Sequence, residues 1–306
     1  MFSSPLCKHM KGIFVRDLNV WYLDMNLAFP SLSPILRRLF NYLSAKFENP
    51  IGSVLNAMEK VVDERIKSKG SEEYDDFIDA FLNLTTADSI QENDKRSKAL
   101  SRDEIIAQCF LFVMAGFDTT ASALSFVSHF LAMKPEVQDK ARAEILAVMG
   151  KVPDLSKLGD LPYLDAIIKE TLRIHPLAAS TTGRRCTKTT VVGGISIERG
   201  TYVQPDVYSI HFDEGIWGAD VSLFRPERWQ EDTVPTRGST FLSFGAGPRR
   251  CIGYRLAMME TKMVLVMMLL TFKIIATDET EEELSFLGST TFSPASVTVK
   301  LESIHD

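Results

Sequence analysis

Cysteine is scarce in this sequence: 306 residues hold four, Cys7, Cys109, Cys186 and Cys251. None pairs as C-x-x-C and none has the Cys/His spacing of a zinc site, which excludes a zinc centre or a disulfide framework and leaves reduced thiols facing the cytosol. Basic charge is also lacking. A net charge of -6 with no basic stripe excludes a protein that coats nucleic acid by displacing counterions from phosphates. The opening "MFSSPLCKHMKGIFVRD" lacks the uninterrupted apolar core of a signal peptide or anchor helix, so no ordinary targeting segment is expected there. No internal repeat is present. What remains is 45% apolar and 24% charged, a globular composition long enough for one large domain or two ordinary ones.

Residues 1–99 read as helices joined by a surface loop. "LAFPSLSPILRRLFNYL" is apolar and punctuated by Pro30 and Pro34, and "IGSVLNAMEKVVDERIKSKG" has helical periodicity ending at Gly70. The polar stretch 86–100 is expected to be a flexible connection. At Ser101 the pattern changes: Ser101 and Glu104 form a capping-box signature, and the apolar run they open predicts the longest helix, reaching Met133. Its length suits a bilayer span, whereas Gln108, Asp118, Thr119, Thr120 and His129 within it suit the central helix of a large core. Pro135 opens an amphipathic helix through about Met149, and another is predicted from Asp160 to His175, stopped by Pro176. "TTVVGGISIERGTYVQPDVYSI" predicts a small antiparallel meander, followed by a long irregular stretch from Asp213 to Ser243. Helix is expected again from Cys251 to about Phe272, then a terminal hairpin between Lys273 and Glu302.

Three short stretches carry chemistry. In "FGAGPRRCIG", residues 244–253, Cys251 sits at a predicted helix start, where unpaired N–H groups and the positive dipole end favour the metal-binding thiolate. Gly245, Gly247 and Gly253 let the backbone approach a flat group and turn N–H groups toward sulfur. A buried structural cysteine is the other reading. A phosphate loop is excluded, because neither G-x-x-x-x-G-K-[ST] nor G-x-G-x-x-G is present there. Glu170 and Arg173 stand three apart on one helix; they form either a solvated surface pair or, with Arg228 of "FRPERW", a buried cluster fastening the irregular stretch. Breaking such a cluster costs about 3–5 kcal/mol. In "AGFDTT", Ala115 and Gly116 leave space while Asp118 and Thr119 bring an acid and a hydroxyl to mid-helix. Threonine there bonds back to a carbonyl and widens the helix locally, or is simply tolerated.

Taken in order, "AGFDTT", "KETLR", "FRPERW" and "FGAGPRRCIG" resemble the four signature motifs of the cytochrome P-450 superfamily, the haem-thiolate monooxygenases, from about Ser101 to the C-terminus. "LAFPSLSPILRRLF" resembles a loop between two distal helices in the microsomal clan that includes the drug-metabolising family-three enzymes and thromboxane synthase. The resemblance implies a mainly α fold with small β regions. It implies a single partial domain, with distal helices and loops over 1–100 and a haem-binding core over 101–306. It further implies haem b, iron protoporphyrin IX, with Cys251 as the axial thiolate whose electron donation favours O–O cleavage. Arg249 and Arg184 match arginines that pair with haem propionates. Phe244 would pack near the sulfur, and Gly253 would let its helix lie against the porphyrin. On the other haem face Thr119 and Asp118 match the alcohol and acid that deliver protons, while Ala115 and Gly116 line the oxygen pocket. Glu170, Arg173 and Arg228 take a structural role. Ala115, Ala179, Ser180 and Thr291 fall where substrate contacts occur.

The implied reaction takes two electrons from NADPH through NADPH-cytochrome reductase, with cytochrome b5 as an optional second donor, and inserts one atom of O2 into a small apolar substrate. Arg249, Arg250, Arg255 and Lys262 would form the basic face that an acidic reductase meets, or a solvated charged face. The resemblance places the protein at the cytosolic face of the endoplasmic reticulum membrane, with membrane association belonging to a full-length form. A full-length member has roughly five hundred residues, above one ordinary domain. The front of the fold is therefore expected to be missing: anchor, most of an N-terminal sheet, the cap over the pocket and a helix carrying W-x-x-x-R. Trp21, Trp217 and Trp229 are not followed four residues later by arginine. The competing reading is a truncated, non-catalytic haem-binding or interaction fragment, whose exposed apolar faces favour association.

Overall fold

The computed structural model describes residue 25 and residues 29–46, 50–68, 76–83, 100–230, 240–288 and 291–304. Trp21, Gly70 and the connection expected at 86–99 lie outside the described residues. The chain divides into two compact units, one running up to Asp118 and the other starting at Thr119.

In the first unit α1 (Ser33–Lys46), α2 (Pro50–Ser68) and α3 (Phe77–Asn83) precede the start of α4 (Arg102–Met133). Ser101 N–H donates to the Glu104 carboxylate at 2.8 Å and Glu104 N–H to Ser101 Oγ at 3.3 Å, closing the capping box that starts α4. Val62, Leu82, Ile105, Ile106 and Cys109 form the core. Burial there pushes the Cys109 thiol pKa up, making this cysteine a small hydrophobe rather than a nucleophile. The Arg65 guanidinium ties α2 to α3 through Asp76 and Asp79, at 2.6 and 2.9 Å.

The second unit opens with the end of α4, whose Phe126, Val127 and Leu131 are fully buried. By length and composition α4 could cross a bilayer, but these residues belong to the main core of this unit. Next come α5 (Pro135–Met149) and α6 (Pro162–Ile174). Pro135 starts α5 and Gly150, at φ 70°, ends it with its N–H on Leu146 O. The start of α6 is capped from outside, because both oxygens of Glu144 on α5 accept N–H groups, from Tyr163 at 2.7 Å and Leu164 at 2.9 Å. Pro176 then stops α6. Its inner face, Leu164, Ile167, Ile168 and Leu172, is at most 3% exposed, each side chain stabilising by about 2 kcal/mol as an upper figure.

Against α5 and α6 packs α9 (Tyr254–Thr271), and Arg142 of α5 donates to Leu269 O and Phe272 O at the end of α9, both at 2.8 Å. Among the described residues the β content is four two-stranded antiparallel pairs: β1 (Arg184–Arg185) with β4 (Tyr202–Val203), β2 (Thr190–Val192) with β3 (Ile195–Ile197), β5 (Phe272–Ile275) with β8 (Lys300–Ser303), and β6 (Phe286–Leu287) with β7 (Ser293–Pro294). The meander expected through Ile210 ends earlier. Val207–His211 is a short helix, α7, because the Asp206 carboxylate accepts both the N–H and hydroxyl of Ser209. A second short helix, α8 (Glu214–Trp217), and a 3₁₀ turn at Pro226–Trp229 break the stretch expected to be irregular.

Candidate functional site

Glu170, Arg173 and Arg228 are all fully buried and meet beside α6, on a face turned away from Leu164, Ile168 and Leu172. Arg173 grips Glu170 with two parallel bonds, Nε to Oε2 and Nη2 to Oε1, both 2.9 Å. Arg228 Nε reaches Oε1 at 3.0 Å, Trp229 Nε1 reaches Oε2 at 2.9 Å, and the Arg225 N–H reaches Oε1 at 3.1 Å. The remaining guanidinium N–H groups end on backbone: Arg173 Nη1 on His211 O at 2.9 Å, and Arg228 Nη1 on Trp217 O at 2.6 Å. Asp220 also receives Arg228 Nη1 at 3.1 Å. Every charge here is paired and hydrogen-bonded, the condition under which buried ions persist.

The cysteine loop leaves this cluster directly. Leu242 N–H donates to His211 Nε2 at 2.9 Å, and Ser243 Oγ donates to Leu172 O at 2.6 Å. The loop then turns on itself: Gly245 N–H donates to Leu242 O and Cys251 N–H to Phe244 O, both 2.8 Å. Gly245 and Gly247 hold φ of 70° and 69°, a left-handed conformation that side chains with a Cβ rarely adopt. The Phe244 ring packs edge-on against Tyr254, and the Arg250 guanidinium lies 3.9 Å over the Tyr254 ring. Cys251 is exposed, so the buried structural reading of this thiol fails. Its place relative to the helix also needs correction. Regular α9 begins at Tyr254 with Gly253 at the position before it, and Cys251 stands three residues ahead, its N–H bonded to Phe244 O.

Ala115, Asp118 and Thr119 lie at i, i+3 and i+4 of α4 and share a face; Ala115 and Gly116 are exposed, Asp118 and Thr119 half-buried. Helix runs unbroken through Thr119 and Thr120. Ala179 and Ser180 form a 3₁₀ turn after α6. The Phe292 N–H bonds Leu177 O at 2.8 Å, which draws the Thr291 segment alongside that turn. Arg184 is exposed, its Nη1 donating to Thr182 O and Gly183 O. Lys262 is misassigned to an exposed basic face: it is 8% exposed, its ammonium bonding Leu158 O at 3.2 Å and pairing with Asp165 at 3.1 Å. Arg249, Arg250 and Arg255 do remain exposed.

The family profile described as Cytochrome P450 matches residues 10–301. The chain belongs to the cytochrome P450 family. Among curated proteins of Caenorhabditis elegans, it is 40% identical to "Putative cytochrome P450 CYP13A2" over 98% of this chain and 61% of that protein. It is 37% identical to "Putative cytochrome P450 CYP13A4" over 100% and 62%, and 36% identical to "Putative cytochrome P450 cyp-13B1" over 99% and 61%. The chain thus spans about three-fifths of the length of these relatives.

Membership in the cytochrome P450 family implies haem, and the donor set of the loop fits it. No group of three His, Cys, Asp or Glu side chains able to hold a bare ion occurs among the described residues. A lone soft thiol suits an iron whose remaining ligands arrive with a macrocycle. A Cβ on Gly247 or Gly253 would meet nothing within 4 Å, so this side of the loop is open. Arg249 and Arg250 stand there exposed and without a carboxylate partner among the described residues, suited to an anionic group. His211, Ser243 and Trp229 were missed as members of the site. Their partners are backbone atoms and a distant carboxylate, which no spacing rule reveals.

Proposed function

We propose that this chain is the haem-binding portion of a monooxygenase that inserts one atom of O2 into a small apolar substrate, using electrons from NADPH delivered by a reductase. The observation that carries the reading is the exposed Cys251, presented by a glycine turn and rooted in the buried Glu170 cluster. Cys251 would hold haem through its thiolate, with Arg249 and Arg184 on the propionates. When bound, haem supplies the redox chemistry that activates O2. Glu170, Arg173 and Arg228 hold the meander and the root of the loop still, so the sulfur is presented from a rigid support. Asp118 and Thr119 hold a proton donor and a hydroxyl on one face of α4. Ala115, beside them, leaves room for substrate, and Ala179, Ser180 and Thr291 supply further contacts. The exposed Arg249, Arg250 and Arg255 offer a cationic patch to an acidic reductase or to cytochrome b5, which steers encounter more than it adds affinity. The location that goes with this reading is the cytosolic face of the endoplasmic reticulum membrane.

A second reading, a non-catalytic interaction piece, draws on the bare apolar side chains that follow the cysteine: Ile252 is 87% exposed, Met259 49% and Met267 54%. One experiment separates the two. The reduced carbon-monoxide difference spectrum of the haem-loaded chain is expected to give a long-wavelength Soret band that Cys251→Ser abolishes. Haem sticking equally to both proteins, with no such band, selects the second reading.

A further inference from the structure

His211 is a fully buried side chain that touches both the charged cluster and the cysteine loop. Its Nδ1 lies 2.9 Å from Arg173 O and its Nε2 2.9 Å from the Leu242 nitrogen. A carbonyl can only accept and an N–H can only donate, so the proton sits on Nδ1 and the Nε2 lone pair receives Leu242. The Arg173 contact is reciprocal, since Arg173 Nη1 donates to the carbonyl of His211 itself at 2.9 Å. The ring is stacked on Phe241 at 5.8 Å and set edge-on to Trp217 at 6.3 Å, which fixes its plane. Leu242 in turn has its carbonyl taken by Gly245. Both backbone groups of Leu242 are therefore committed, one to the histidine and one to the first turn of the loop.

We propose that His211 is a positioning residue for Cys251, its two ring nitrogens transmitting the fixed place of the Glu170–Arg173 pair to the backbone that carries the thiol. The consequence for metal ligation rests on the reading of Cys251 as a haem ligand; the mechanical link does not. The imidazole works as a two-ended strut. Its Nδ1 end grips α6, its Nε2 end grips the loop, and removing the second end alone should free the loop without loosening the helix.

Two substitutions separate the ends. Asparagine places its amide nitrogen near the Nδ1 position and stops short of Leu242, whereas glutamine extends an acceptor to Leu242. Hydrogen exchange of the full chain, followed by mass spectrometry without added haem, should show residues 242–251 exchanging about tenfold faster in His211→Asn, the factor one net hydrogen bond is worth. His211→Gln should stay within about threefold of the parent, with α6 and α9 unchanged in both. Alkylation of Cys251, located by peptide mapping, should follow the same order. Loop exchange that is equal in the two variants, fast or slow, overturns the proposal. The haem-loaded proteins add a separate readout: His211→Asn should lose part of the long-wavelength Soret band and His211→Gln should keep it. Absence of that band from the parent chain removes the haem reading and leaves the exchange result standing.

Discussion

The Glu170 cluster and the Cys251 loop are neighbours in one unit, yet they treat polar groups in opposite ways. Around Glu170 the carboxylate accepts five hydrogen bonds and no water is needed. Around Cys251 the thiol is exposed, two guanidinium groups lack carboxylate partners among the described residues, and glycines replace side chains. The contrast teaches a division of labour. Ions satisfied by protein make a support, and groups left open on that support are what remains to bind something else.

If the division is real, substitutions in the two regions should fail differently. Glu170→Ala strands two buried guanidinium groups and should cost about 3–5 kcal/mol in urea unfolding; a loss near zero would erase the distinction. Next comes pH. Burial lowers the His211 pKa to about 4, and burial with the nearby His129 lowers that of His175 to about 4. Both are near 6.5 in the unfolded chain, which therefore binds more protons between these values. Their contribution is fully present above pH 6.5 and is lost as pH falls toward 4, about 2 kcal/mol for each imidazole by pH 5. Urea midpoints that match at pH 7 and pH 5 would refute this. Glu144→Gln, which weakens the external cap of α6, should cost about 1 kcal/mol by thermal melting. The smallest effect belongs to the loop. Cys251→Ser should change unfolding free energy by less than about 0.5 kcal/mol while removing the long-wavelength Soret band, and a larger destabilisation would make Cys251 part of the support.

Sequence was most informative where neighbours in the chain are neighbours in space. Pro135 and Gly150 bracket α5, Ser101 and Glu104 start α4, and the three-residue step of Glu170 and Arg173 brings them together on α6. It was least informative where a side chain serves remote backbone. Glu144 caps a helix 19 and 20 residues away, and His211 holds Leu242 across 31. Val207–Ile210 read as strand from β-branched residues and alternation, but Asp206 captured Ser209 and started a helix. Lys262 read as a surface cation because its type usually is one. Its stem lies in the α9 core and its head finds Asp165.

Gln138 has a consequence for the order in which the protein is assembled. This fully buried amide donates to Leu131 O at 3.0 Å and exchanges two bonds of 2.8 Å with the backbone of Ile274, 136 residues downstream. At a synthesis rate of about 5–20 residues per second, roughly 7 to 27 seconds separate the two residues on the ribosome. During that interval Gln138 has local partners only, Leu131 O for its amide N–H and Arg142 for its amide oxygen, and the two bonds to Ile274 wait. The bonds that join α5 to β5 therefore form only after the residues between them have been made, and until then the apolar faces of α5 and α6 lack the α9 side chains that cover them.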